Sequence, residues 1–421
     1  MTRAAIDHEA KASALDQRVL AAVKGVRLLG STSWPASAQN EFLAHWRQGR
    51  AQLPRIDYPR QDHSAVRAEL EAVLRTVDIA HPLGDYVRRN AQSWFTATQL
   101  IEARGSGALT TFSTVLFGRP GDRLPGGEVS NLDAAHHFIN LANELDHEIR
   151  IENEEYCIPP AILREELQQQ LDAFFGSGVI RVELDPELIA KAAAGANRIR
   201  LRSGTCFSEY DRNQLLQHEA YVHSLTALNG RRQLNLPSLG LSSPRITATQ
   251  EGLAVCAELM TGALDIARIK RISLRIIAID QALAGADFMQ VFSLFLDAGQ
   301  TESESFASAQ RVFRGVPLSG GAAFTKDTVY LHGLLSIHTF FRWALKHQRI
   351  DLCRNLFAGK LSLHDVLALQ EQFASGFIEP SHWLPRWIAH PNGMAATLAF
   401  SLFANRIRLD RIEAEDLILA L

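Results

Sequence analysis

The chain is poor in cysteine, in net charge and in long apolar runs, and each shortage removes a class of protein. Its 421 residues include 4 Cys: Cys157, Cys206, Cys256 and Cys353 lie far apart, with no two at paired or ligand spacing. Neither a disulfide framework nor a cysteine-rich structural metal site is expected. The four read as reduced residues of helices or core, in keeping with a cytoplasmic setting. Lys and Arg total 43 against 46 Asp and Glu, a net charge of −3, so there is no electrostatic preference for nucleic acid. The most apolar late stretch, Gly393 to Ala404, is about 12 residues, short of the ~18 that suggest a membrane span. The first residues contain no apolar h-region of a secretory signal. No internal repeat or low-complexity tract interrupts the chain.

What is present is mainly helical periodicity. Apolar residues recur at three and four through Ser64–Thr76, Asp85–Glu102, Asp133–Asn153 and Pro160–Phe175. The Pro- and Gly-rich run from Arg119 to Gly127 reads as a loop. Gln300 to Ser305, rich in Ser and Glu, reads as a helix cap. Between about 178 and 208 the pattern turns to alternation: Val179–Leu184 and Arg198–Arg202 read as short strands flanking a small-residue helix, Pro186–Ala194. Such strands serve either as an edge for an extended peptide or as a plain hairpin. The expected fold class is α+β, predominantly α-helical. A helical N-terminal region, 1–175, meets a second region, 176–421, at Gly176-Ser177-Gly178, as two domains or as one packed unit.

Residues 218 to 223 read His-Glu-Ala-Tyr-Val-His. Imidazole nitrogens and a carboxylate are the ligands of a catalytic zinc, whose open position takes a water, and Glu219 beside the first histidine is placed as the base. A chain of this composition would show roughly 0.03 copies of His-Glu-x-x-x-His by chance, so accident is a poor explanation. Five residues at about 100° each leave two side chains roughly 140° apart on a regular helix, too far to share an ion. The spacing therefore predicts a π-type widening between His218 and His223. Glu251, in Gln250-Glu251-Gly252-Leu253-Ala254, supplies a third ligand from a second helix. Glu258, seven residues on and on nearly the same face, either orients a ligand histidine or is a surface carboxylate. His136, His137 and His147 read as ordinary helix residues; of His332 and His338, six apart around the Tyr330 helix, one could lie near the site.

The blocks LLQHEAYVHSLTALNG, PRITATQEGLAVCAEL and FTKDTVYLHGLL resemble the bacterial QEGLA-motif proteins and their animal relatives, the microtubule-associated tyrosine carboxypeptidases. The likeness is close over about residues 175 to 345, and the helical flanks are expected to belong with it. The resemblance implies a zincin-like metallopeptidase with one Zn²⁺ held by His218, His223 and Glu251, and with Glu219 as the catalytic carboxylate. It also implies carboxypeptidase activity, which in the animal members removes tyrosine from tubulin.

A carboxypeptidase needs a cation one residue's length from its metal to receive the substrate's terminal carboxylate. Arg245, six residues before Glu251, is one candidate. Arg314 and Lys326 are two more, on either side of a glycine-rich segment whose flexibility would suit a closing loop. Tyr330 reads either as an oxyanion donor or as a core residue. The expected function is therefore a zinc-dependent metallopeptidase, a carboxypeptidase acting on a peptide or protein C-terminus, with tyrosine or another aromatic residue released. A zinc-binding regulatory protein, and an endopeptidase or aminopeptidase with the same metal site, remain alternatives at this stage. A purely structural site would have no use for Glu219.

Overall fold

Helix ends in this chain are set by side chains. Ser208 accepts from the Asp211 N–H while the Asp211 carboxylate takes the Ser208 N–H. Asp287 with Gln290, Thr301 with Glu304, and Ser362 with Asp365 repeat the device. Each pair satisfies two main-chain donors that a helix start leaves open. The Thr301 box is the cap expected of the Ser/Glu-rich stretch.

The computed structural model describes residues 3–148, 157–188 and 191–405. It is predominantly helical with one small sheet, the α+β composition that the periodicity implied. The helices Ser64–Thr76 and Pro160–Phe175 have the expected bounds. In the latter, Leu163, Leu167, Leu171 and Phe175 form a buried i, i+4 stripe. The helix expected from Asp85 begins earlier, at Pro82, because Pro suits a first helical position and the His81 ring accepts from the Leu83 N–H. The helix expected over Asp133–Asn153 is seen as Asn131–Glu148, and residues 149–153 lie outside the described residues.

The small-residue helix expected over Pro186–Ala194 does not form in the described part of that segment. Ala192–Ala194 is instead β2, which pairs antiparallel with β3 (Arg198–Arg202). Alanine is the best helix former, but propensity is a small effect that partners on β3 for its main-chain groups override. β3 also pairs in parallel with β1 (Arg181–Asp185), giving the order β1-β3-β2. The two strands read from the alternation therefore do not form a hairpin with one another, one of their two readings; they run parallel, joined by a crossover. On the outer side of β1, the Gln168 amide takes the place of a strand, donating to the Ile180 carbonyl and accepting from the Val182 N–H.

The reading of four reduced cysteines is corrected at two positions. Cys157 and Cys206 are disulfide-bonded, with Cα atoms 5.1 Å apart, because the bridge between Ile158 and Phe207 lays their segments side by side. A separation of 49 residues carries no hint of that proximity. The inference of a cytoplasmic setting loses the support of this pair; Cys256 and Cys353 are free and buried. Among the described residues no helix is long and apolar enough to cross a membrane.

Helices before Gly176 pack directly on those after it. Tyr86 bonds Ser238 at 2.7 Å, Ser113 bonds Thr325 at 2.9 Å, and Asn131 donates to the Thr328 carbonyl at 3.0 Å. The helices Thr247–Met260 and Val329–Lys346 cross with their backbones in contact. A Cβ built on Gly252 would lie 2.2 Å from the Gly333 carbonyl carbon, and one on Gly333 would lie 2.2 Å from the Ala248 oxygen. Only glycine permits backbones to touch in this way.

Gly333→Ala should therefore destabilise the fold by about 3 kcal/mol, the upper range for overpacking. Gly393→Ala, whose Cβ meets nothing within 4 Å, should be near neutral; urea unfolding of the two variants checks the contrast.

Candidate metal centre

The expected widening of the motif helix is present. An α-helical turn, Glu209–Leu215, leads into a π-helix, Leu216–Ser224, before α geometry returns at Leu225–Arg231. The π turn brings His218 and His223 onto one side, ring centres 4.8 Å apart and planes at 82°. Side chains hold two carbonyls of this segment: Thr226 Oγ1 donates to Val222 O at 2.7 Å and Lys360 Nζ to His223 O at 2.9 Å. The Gln250 amide oxygen accepts from Lys360 Nζ at 2.9 Å and lies 2.9 Å from Thr226 Oγ1, tying the π turn to the helix that carries Glu251.

Glu251 faces both imidazoles. Its Oε2 is 3.5 Å from His218 Nε2 and 3.5 Å from His223 Nε2, while its Oε1 accepts from Lys326 Nζ at 3.0 Å. One ligand atom from each of His218, His223 and Glu251 lies within 4.8 Å of the others, an arrangement that can hold a metal ion. Behind this group, Glu258 is fully buried, its Oε1 2.6 Å from His218 Nδ1 and 3.3 Å from Arg268 Nη2. Of its two sequence readings, the structure displays the buried one, against a histidine.

Electrostatics follow from burial opposed by these pairs. Burial alone would depress His218, but hydrogen bonds with Glu251 and Glu258 lift it to about 10, which also makes the imidazole a more basic donor. Burial lowers His223 in spite of Glu251. Glu251 is held well below the usual carboxylate range, because Lys326 and the two histidines outweigh its desolvation. Burial pushes Lys360 down to about 7, against the pull of Glu251 and Glu219. Glu219 is half-buried beside His218 and has no side-chain hydrogen bond among the described residues.

The remaining candidates divide. Lys326 is buried, pinned to Glu251 and set over the Tyr330 ring at 5.1 Å. Tyr330 is buried, and its Oη accepts from Arg311 Nη2 at 3.4 Å. Arg245 is drawn elsewhere: it lies 2.9 Å from Asp365 and 2.9 Å from Asn90 Oδ1, stacked over Tyr86 at 5.0 Å. Burial and the charge of Arg311 push Arg314 down to about 10, against the pull of Asp327. The glycine-rich segment after it is not a loose loop. Gly315 donates to Tyr58 Oη and accepts from Gly105, Leu318 accepts from Phe288, and Gly321 donates to Ala282. Its glycines at 315, 320 and 321 have φ of 75°, 85° and 76°, so they serve tight turns and not the expected flexibility.

Sequence reasoning passed over Lys360, Gln250 as a bridging amide, Asp327, and the stripe Arg268, Arg271 and Arg275. That stripe repeats at three and four along Ile266–Leu283, a helix otherwise rich in isoleucine. A polar stripe on an apolar helix is normally a solvated face; here Arg268 and Arg275 turn toward buried carboxylates.

A family model described as microtubule-associated tyrosine carboxypeptidase matches residues 40–406, taking in both helical flanks as well as the motif blocks. No individually curated protein matches the chain.

Glu258→Gln keeps the shape of the His218 contact but removes its charge. Metal affinity, measured by competition with a chromogenic chelator, should fall about 10- to 100-fold, the usual cost of losing a carboxylate behind a ligand imidazole.

Proposed function

The chain belongs to the microtubule-associated tyrosine carboxypeptidase family, and from that premise we propose that it is a zinc-dependent carboxypeptidase releasing one residue from a peptide or protein C-terminus. A tyrosine or other aromatic residue is the proposed leaving group, and the region from 176 onward is the proposed zincin-like catalytic part. One observation carries the reading: two imidazoles and a carboxylate converge from a π turn and a crossing helix, with Glu219 alongside and Glu258 behind.

The donor set fits zinc. Bonds of about 2.0–2.2 Å in a tetrahedron place donor atoms about 3.3–3.6 Å apart, and Glu251 Oε2 stands 3.5 Å from each Nε2. Three protein ligands without a cysteine leave one position open, the arrangement of catalytic and not structural sites. When bound there, zinc would lower the pKa of a coordinated water towards neutrality and polarise the scissile carbonyl.

The chain's own residues supply the rest. Glu219, unclaimed by hydrogen bonds among the described residues, takes the proton of the attacking water and passes it to the departing amine. Glu258 holds His218 through Nδ1, leaving Nε2 to face the ion. Lys326 occupies Oε1 of Glu251 and so leaves Oε2 for the metal. Tyr330 accepts from Arg311, which leaves its own proton free for the oxygen that gains negative charge.

Mass spectrometry of a peptide mixture with free C-termini, incubated with the zinc-loaded protein, should show loss of single terminal residues. Glu219→Ala, still holding zinc, should lose about 10²- to 10⁴-fold in rate. Internal cuts would overturn the exopeptidase reading, and no cleavage of any peptide by zinc-loaded protein would overturn the enzyme.

A further inference from the structure

Three helical segments close a ring of hydrogen bonds behind His218. Guanidinium nitrogens only donate, so the half-buried Gln214 turns its amide oxygen to Arg268 and accepts from Nε at 2.9 Å and from Nη2 at 3.1 Å. The same two nitrogens reach Glu258, with Nε 3.3 Å from Oε2 and Nη2 3.3 Å from Oε1. Glu258 Oε1 in turn lies 2.6 Å from His218 Nδ1. The path thus leaves the motif helix at Gln214, crosses Ile266–Leu283 at Arg268 and Thr247–Met260 at Glu258, and returns four residues later at His218. Arg268 has little freedom of its own. It stands in the first turn of its helix, where the capping carboxylate of Asp265 holds its N–H at 2.5 Å, and its side chain is only 14% accessible.

What the ring holds is the entry of the π turn. Such a turn absorbs one extra residue, and a slip of that residue past either histidine would rotate one imidazole about 100° from the other. The exit is fixed by Thr226, Lys360 and Gln250. Gln214 is two residues before Leu216, where the π turn opens, so the ring fixes the other end. It also sets the direction of the His218 contact. Glu258, paired to a guanidinium, is an acceptor only, so Nδ1 carries the proton and Nε2 faces Glu251 without one. A lysine would bring the same charge without the two-pronged grip that orients the carboxylate.

We propose that Arg268 and Gln214 are positioning residues of the candidate metal centre, clamping the entry of the π turn and aiming His218 through Glu258. The assignment rests on His218 as a metal ligand and on nothing about the substrate.

The test reads zinc binding and the His218 ring separately. Zinc affinity is measured by chelator competition on Arg268→Met, Arg268→Lys, Gln214→Leu, Glu258→Gln and the double variant Arg268→Met/Glu258→Gln, with melting curves alongside. Arg268→Met and Arg268→Lys should each lower affinity about 10-fold, the low end of the cost of losing support behind a ligand imidazole, and Gln214→Leu about 3-fold, one neutral hydrogen bond. Because Arg268 acts through Glu258, the double variant should bind zinc no more weakly than Glu258→Gln alone, whereas independent structural damage would multiply the two losses. In the metal-free protein with ¹⁵N-labelled histidine, proton NMR should show the hydrogen-bonded Nδ1 proton, assigned by its absence from His218→Ala, and the signal should be lost in Arg268→Met. If Arg268→Met does not fold, Arg268→Lys and Gln214→Leu carry both comparisons. Multiplied losses, parental affinity in Arg268→Lys, or an Nδ1 signal that persists without the arginine overturns the clamp. A parent protein that holds no zinc would sink the zinc reading instead, and the NMR comparison would still decide the ring.

Discussion

One carboxylate is shared between two tasks, and the site is built around that sharing. Glu251 offers one oxygen to both imidazoles and the other to Lys326. A lone carboxylate among buried groups would rise in pKa and neutralise; the ammonium at 3.0 Å keeps it charged in spite of desolvation. Lys326 in turn lies over the Tyr330 ring at 5.1 Å, so the same contact that keeps Glu251 ionised ties the candidate metal centre to that side chain.

The π turn is the second constraint. An insertion of one residue between the histidines would scatter them on an α-helix, and the chain absorbs it by widening over Leu216–Ser224. Such a segment gives up some regular hydrogen bonding, and donors from elsewhere compensate: Thr226 from the following turn and Lys360 from far along the chain, both meeting at Gln250. The glutamine of the Gln-Glu-Gly-Leu-Ala stretch thus supports the histidines, its glutamate faces them, and its glycine allows the helix crossing. Three neighbouring positions serve three separate physical needs.

Much of this was legible in the chain. The histidine spacing alone required the π turn, and the seven-residue step from Glu251 to Glu258 placed the second carboxylate on the right face. The helices Ser64–Thr76 and Pro160–Phe175 could be bounded to the residue because their apolar stripes are regular and their ends are marked. What escaped was non-local. Ala192–Ala194 became a strand through pairing partners on β3, and Cys157 met Cys206 through a bridge between distant segments. Arg245 seemed near the site by sequence number, yet its partner Asp365 lies 120 positions away. Lys360 belongs to no local motif, and only the assembled fold brings it to the π turn.

The contact between Gly252 and Gly333 carries a consequence for how the site can vary. Where helices meet through side chains, a lost methyl can be replaced by a shifted rotamer, and the spacing drifts as the core is repacked. Here backbone rests on backbone, a hard stop with no rotamer to adjust. Glu251 is one residue before the first glycine and Tyr330 three before the second, so their separation is referenced to main-chain atoms. The surrounding core is therefore free to diverge in composition while the gauge between these two candidate side chains stays the same.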